Sequence, residues 1–424
     1  MFHPVFNWFL DMLRFLVIGL LIFASTRASA ADWPQWRGPT RDCHTDSGQP
    51  WPDSLESEHL AQLWRIPLGP SYSGPIVSGP RVFVTETRSA SDEVVRALDR
   101  QTGKELWRAE WAGALKVAFF ARDNGSWIRS TPATDGQNLY VAGIRDVLVS
   151  LGCENGDENW RVDLATTLKA GLPGFGTVCS PLVDREYLYL QAAGSVVKVD
   201  KASGRIVWRS TPESGGIFGS GMGASAFSSP VIATVAGRRQ IVVQSRKALF
   251  GLDLESGQRL WSTDVKAFRG MNILTPTVIG DTVFTSTYGG GTYLYDVKDV
   301  GSGFQVSERW RSKTQGYMSS PAVVGGQVFL HLRNQRLTCI DPANGETHWT
   351  TRPFGKYWSM VANGNRLLAL DQRGELHLID AAPDEFVEVS GRKISDAQTW
   401  AHLAVADQQL FVRELNAMSA WSWK

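Results

Sequence analysis

The side chains able to do chemistry in this chain fall into none of the spacings that reactive sites usually show. Seven histidines, His3, His44, His59, His331, His348, His377 and His402, lie at intervals that build no zinc site. No phosphate-binding loop, nucleophile elbow, His-Glu-x-x-His pair or EF-hand loop is present. The glycine run Gly215 to Gly223 does not lead a strand into a helix, so it reads as a loop and not as a phosphate cradle. Asp123, Asp146, Asp371 and Glu414 are acids a general base would draw on, but turn aspartates and surface glutamates are common without that role. Cys43, Cys153, Cys179 and Cys339 allow three disulfide pairings, and Cys179 and Cys339 equally suit buried thiols in apolar strands.

What recurs is a glycine followed four residues later by tryptophan: Gly103/Trp107, Gly156/Trp160, Gly204/Trp208, Gly257/Trp261 and Gly345/Trp349. In four copies an aspartate stands four residues before the glycine, at Asp99, Asp200, Asp253 and Asp341, and Gly152 replaces it in the second copy. The aspartate closes one apolar run and the tryptophan belongs to the next, so the residues between read as a hairpin turn. Aspartate bonds its own backbone there and glycine takes a positive φ freely. With Trp310 included, successive tryptophans lie 39 to 53 residues apart, a period suited to a four-stranded β-propeller blade.

Each unit opens with a Ser/Thr-Pro or Gly-Pro step, at Pro75, Pro132, Pro181, Pro230, Pro276 and Pro321, followed by alternating strands such as Arg81 to Val84 and Gln327 to Leu330. Two further units lack the proline: Trp358 to Ala362 with Arg366 to Leu370, and Trp400 to Ala404 with Gln409 to Arg413. The eighth unit runs out at Lys424 after three strands, while Ala61 to Pro67, with Trp64, is a strand with no blade of its own. The fold expected is therefore all-β, an eight-bladed β-propeller of four-stranded antiparallel blades over residues 61–424, its last blade closed by the N-terminal strand. Trp64, Trp107, Trp160, Trp208, Trp261, Trp310 and Trp349 are read as docking residues between blades.

Residues 1–30 read as a signal peptide: Arg14 precedes the apolar run Phe15 to Ala24, and Ala28-Ser29-Ala30 offers a cleavage pattern. That apolar run falls short of the roughly 20 residues a membrane span needs. A periplasmic or secreted protein is expected, without a stable membrane span after cleavage. Residues 31–60, opening Trp33-Pro34-Gln35-Trp36-Arg37-Gly38-Pro39, are irregular. Removing the leader leaves 41 basic and 41 acidic residues with no basic run, which argues against a nucleic-acid partner.

The unit Ala97 to Trp107 and its relatives resemble the repeat of the pyrroloquinoline-quinone (PQQ)-binding-like propellers, and the opening Trp33 to Pro39 resembles the start of an exported bacterial subgroup. The resemblance implies two functional classes, non-enzymatic scaffolds such as that of the outer-membrane assembly machine, and quinone-dependent dehydrogenases. The dehydrogenases imply PQQ with calcium, a carboxylate base and, in alcohol-oxidising members, two adjacent cysteines. The chain has no adjacent cysteine pair. The reading adopted is an exported, non-catalytic scaffold of the cell envelope with no cofactor or metal. The alternatives are a quinone-dependent alcohol or sugar dehydrogenase and a carbohydrate-binding module.

In such a propeller the loops from fourth to first strands share one face, the expected surface for a protein or envelope ligand. They place Tyr72, Arg129, Asn272, Tyr317, Trp358, Trp400 and His402 near the axis, and Arg246, Arg333 and Arg373 further out. The long connections 109–127, 165–177 and 211–227 add glycine and aromatics around that rim.

Overall fold

A computed structural model describes residues 32–45, 50–117, 125–210 and 225–424. The leader expected over residues 1–30, the glycine run and Asp123 lie outside the described residues. Eight four-stranded antiparallel sheets follow one another as propeller blades. Blade 1 runs Ile76–Ser78, Arg81–Arg88, Asp92–Asp99 and Glu105–Ala112, and the pattern repeats through blade 7, which ends in Val387–Lys393. Blade 8 takes its first three strands from Ala404–Ala406, Gln409–Glu414 and Ala417–Trp423, and its outer strand is Leu60–Pro67. Leu60 pairs with Trp423 and Pro67 with Ala417, so the ring closes as the orphan strand predicts. One boundary shifts: the first strand of blade 8 starts at Ala404, leaving Trp400 in the preceding loop.

The Gly/Trp repeat proves to be a joint between successive blades. Trp64 Nε1 donates to the carbonyl of Arg100 at 3.0 Å, Trp107 to Cys153 at 3.0 Å, Trp160 to Lys201 at 2.9 Å and Trp208 to Leu254 at 3.2 Å. Trp310 and Trp349 donate to Pro342 at 2.8 Å and Ala382 at 3.0 Å. In five of these joints the ring lies on the turn glycine of the following blade. A Cβ at Gly156 would meet Trp107 at 2.4 Å, and one at Gly103 would meet Trp64 at 2.6 Å. The glycine is thus required twice, for its positive φ (76° at Gly156) and for room under the ring. The preceding aspartate holds the turn, as where Asp99 Oδ1 accepts from the backbone N–H and the hydroxyl of Thr102. Trp261 differs: in the turn of the following blade Asp299 stands four residues before Gly303, but no ring lies on that glycine, and the Trp261 indole bonds Gln240 Oε1 within its own blade at 2.6 Å.

The Ser/Thr-Pro steps form a second joint near the axis. Gly74 N–H donates to Thr131 Oγ1, Thr131 N–H to Ser180 Oγ, and Ser180 N–H to Ser229 Oγ, each at 3.0 Å. Thr275 N–H donates to Ser320 Oγ in the same way. Each of these four hydroxyls satisfies a backbone donor of the blade before it, which accounts for Thr131, Ser180, Ser229 and Ser320 ahead of their prolines.

Residues 32–45 enter the ring. Trp33 pairs with Val77, Thr134 N–H donates to Pro34 O, Arg41 reaches Ser180 O and Pro181 O, and Thr45 N–H donates to Ala362 O. Trp36 Nε1 bonds Thr275 Oγ1, and Arg37 bonds Pro321 O. A segment without helical or strand periodicity therefore ties blades 1, 2, 3, 5, 6 and 7, with its polar groups taken up by strand backbones. All four cysteines are buried free thiols.

Glu93 links blade 1 to blade 2 on the loop face: its carboxyl accepts from Trp111 Nε1 at 2.8 Å and from Ile144 N–H at 2.6 Å. Burial pushes its pKa up to about 7 despite these donors, and pushes Asp146, which accepts from Thr177 and Ala193, up to about 6. Folded Glu93 therefore keeps a proton that the unfolded chain releases from about 4.5 upward, so its stabilising contribution is intact below that pH and lost as pH rises through 7. Melts between pH 5 and pH 8 should show falling stability, with a Glu93 share on the order of 3 kcal/mol at most. Glu93→Gln should flatten the slope whatever it does to the absolute level, and an unchanged slope would reject the assignment.

Candidate functional site

The fourth-to-first loops converge on one cavity of about 220 Å³ at the mouth of the ring. Tyr72, Arg129, Tyr317, Trp358, Trp400 and His402 all line it, as their positions ahead of the first strands predict. Asn272 does not. Its neighbours Met271 and Ile273 face the cavity, while its amide nitrogen bonds Arg246 O at 3.1 Å and Val265 O at 3.3 Å. The side chains alternate along that approach, so a shift of one residue exchanges a cavity wall for a loop brace.

The walls are aromatic. Tyr357 and Trp400 stack at 4.0 Å with 5° between planes, Tyr72 lies 4.3 Å from Trp400, and Trp127 lies 5.3 Å from Tyr72. In the other direction Tyr317 is 6.4 Å from Tyr357, Tyr288 is 5.3 Å from Tyr317, and Phe268 is 5.2 Å from Tyr288. Seven rings thus run in one arc, with Arg333 over Tyr288 at 4.3 Å and Lys356 over Tyr357 at 5.1 Å. Trp358 sits between His331 at 5.1 Å and His377 at 5.4 Å. Of Trp127, Tyr288, Phe268 and Tyr357, the sequence reading reached only Trp127, as the end of the rim connection 109–127. All four lie in the loops above the blades, so attention to every aromatic there would have found the other three.

Trp36 of the inserted segment also lines the cavity and meets His402 edge-on at 4.9 Å. Burial, with Arg37 adding to it, pushes His402 down to about 3, so the imidazole is neutral at physiological pH. Burial pushes the phenols of Tyr72 and Tyr357 up to about 12. Neither ring type offers a proton-transfer group near neutrality.

The acids lie elsewhere. Asp146 is a blade-to-blade latch, Glu414 accepts both Arg65 bonds at 2.8 and 2.7 Å, and Asp371 is paired with Arg373 at 3.0 Å. Asp371, Glu375 and His377 bring ligand-capable atoms within 4.8 Å of one another, although Arg373 already serves both carboxylates. Among the described residues no carboxylate or carboxamide side chain lines the cavity, where the side-chain oxygens are those of Ser, Thr and Tyr hydroxyls. The donor set that a calcium-dependent quinone requires, carboxylate and amide oxygens beside a carboxylate base, does not fit these walls.

The family described as "Outer membrane protein assembly factor BamB" matches residues 91–351, from the third strand of blade 1 to the fourth strand of blade 6. The chain belongs to this family. The assembly factor BamB of Moranella endobia is 27% identical over 355 residues, covering 79% of this chain and 83% of its own length. That of Yersinia pestis is 22% identical, covering 75% and 76%. Among solved structures, BamB from Moraxella catarrhalis superposes with a TM-score of 0.60 at 14% identity, covering 86% of this chain and 98% of that one. A quinohemoprotein alcohol dehydrogenase from Comamonas testosteroni superposes with a TM-score of 0.63 at 12% identity, covering 92% and 80%. At those identities the two structures share the fold, and neither decides the chemistry. The residues that match the BamB family leave out the inserted segment and blades 7 and 8, which supply Trp36, Tyr357, Trp358, Trp400 and His402 to the cavity.

Proposed function

We propose that this chain is an exported, non-catalytic scaffold of outer-membrane assembly that holds a protein partner on its fourth-to-first loop face. The observation that carries the reading is the continuous arc from Trp127 through Tyr72, Trp400, Tyr357, Tyr317 and Tyr288 to Phe268, around a cavity with no acid in its wall. Large rings beside cations are the groups that carry affinity at protein interfaces, and among the described residues the wall offers no carboxylate to act as a base. Family membership supports the assembly role. Export is supported by the leader-like residues 1–30.

The test is direct binding between the mature chain and the purified outer-membrane assembly proteins of its own host, measured calorimetrically. Replacing Tyr288 and Tyr317 together by alanine should weaken the complex by about tenfold or more, as hot-spot aromatics do. Thr102→Ala, in a turn on the opposite face, should leave it unchanged. Equal affinity of both variants would reject the loop face as the partner site.

A further inference from the structure

We propose that the cavity at the mouth binds a carboxylate carried on a small apolar body, the anionic head pairing with Arg129 and the body lying among Tyr72, Trp400, Tyr357 and Trp36. This rests on the loop face being the binding surface, and it names the ligand chemistry at its centre.

Arg129 is held and oriented by backbone alone. Its Nε donates to Trp127 O at 3.2 Å and its Nη2 to Gly125 O at 2.7 Å, and Nη1 donates to no acceptor among the described residues. No carboxylate among them pairs with it, although the guanidinium lines a cavity with mainly apolar walls. Burial lowers its pKa to about 10, so it remains charged at neutral pH while lacking the hydration an exposed arginine has. A half-buried guanidinium with two of its five N–H donors spent and both Nη1 hydrogens open favours an anion that can accept from them.

The walls set the rest of the ligand. Among the described residues Lys is absent from them and Arg129 is the one arginine, which suits a monoanion better than a phosphate dianion. The Tyr357/Trp400 stack and Tyr72 offer flat faces, and Met271, Met318 and Met360 line the same space with adaptable thioethers. The cavity has room for a body about the size of one aromatic side chain. Such a carboxylate can come from the C-terminus of a polypeptide ending in an apolar residue or from a free aryl-alkyl acid.

The experiment uses the full mature chain and four probes: 3-phenylpropanoate, its amide, and a short neutral peptide ending in phenylalanine with a free or an amidated C-terminus. Calorimetry should find at least one acid bound about tenfold or more tightly than its amide, the range expected of a charge-assisted hydrogen bond. A tighter peptide acid identifies a chain terminus as the source, and a tighter free acid identifies a small molecule. Arg129→Gln should erase the preference for acid over amide, Arg129→Lys should keep part of it, and Tyr357→Ala should weaken acid and amide alike. Equal binding of acid and amide by the wild-type protein, or no binding of either at millimolar concentration, would overturn the proposal even if the glutamine variant failed to fold. Loss of partner binding in the Tyr288/Tyr317 variant alongside such a result would leave the scaffold reading standing and remove only the carboxylate.

Discussion

Removing residues 32–67 should abolish the single cooperative unfolding transition of the mature protein. The deletion takes away the outer strand of blade 8, whose register runs from Leu60 opposite Trp423 to Pro67 opposite Ala417. It also takes away Trp64, which caps Gly103 and bonds Arg100 O, and Arg65, which forms two bonds to the buried carboxylate of Glu414. Burial of one tryptophan is worth up to about 5 kcal/mol, a large share of the roughly 5–15 kcal/mol by which a native domain is stable. The same deletion withdraws Arg37 and Arg41 from the backbone oxygens of Pro321, Ser180 and Pro181 and opens a sheet edge on blade 8. Urea unfolding followed by tryptophan fluorescence and by far-ultraviolet circular dichroism should give broad, non-coincident curves for the truncated chain. Coincident curves with the midpoint of the full chain would show that ring closure does not hold the domain together.

The fold was legible because the repeat reports local chemistry many times over. Asp99, Asp200, Asp253 and Asp341 each mark a turn, and each tryptophan marks the strand after it. The partner of each tryptophan was not legible, since Gly156 and Trp160 are neighbours in sequence while Gly156 packs against Trp107 of the blade before. That contact depends on the angle between sheets, which no residue spacing encodes. The mouth residues were readable to the extent that they precede first strands. Asn272 was misplaced because side-chain direction along an irregular approach is a matter of phase. Trp36 reaches the cavity through a segment with no periodicity, held by arginine bonds to carbonyls of blades far away in sequence, and such bonds leave no local signature. The family match ends in blade 6, and the units beyond it depart from the repeat: blades 7 and 8 lack the proline step, and the Trp349 joint ends on Ala382, two residues past Asp380, where the other acceptors lie one residue past the Asp or Gly.

The joint itself makes the second strong prediction, on Trp107 and Gly156. Trp107→Ala removes a nearly fully buried ring that packs with Phe83, Val95, Leu139 and Leu151 and bonds Cys153 O. Truncations of this kind cost about 3–5 kcal/mol, from lost burial together with the cavity left behind. Gly156→Ala acts on the same contact from the other side. Its new Cβ would stand 2.4 Å from Trp107 Cε3 on a residue at φ 76°, so it meets both a steric overlap and an unfavourable backbone conformation. With the indole gone the overlap disappears and only the backbone penalty, about 1 kcal/mol, remains. The double variant should therefore be less destabilised than the sum of the singles by about 1–2 kcal/mol, a coupling that residues in contact show and distant ones do not. Gly136→Ala, at φ 89° with nothing near its Cβ, should pay the backbone penalty alone and add to Trp107→Ala without coupling. Strict additivity at Gly156 would mean that the glycine serves its own turn only, and that the tryptophan ring does not seat on the following blade.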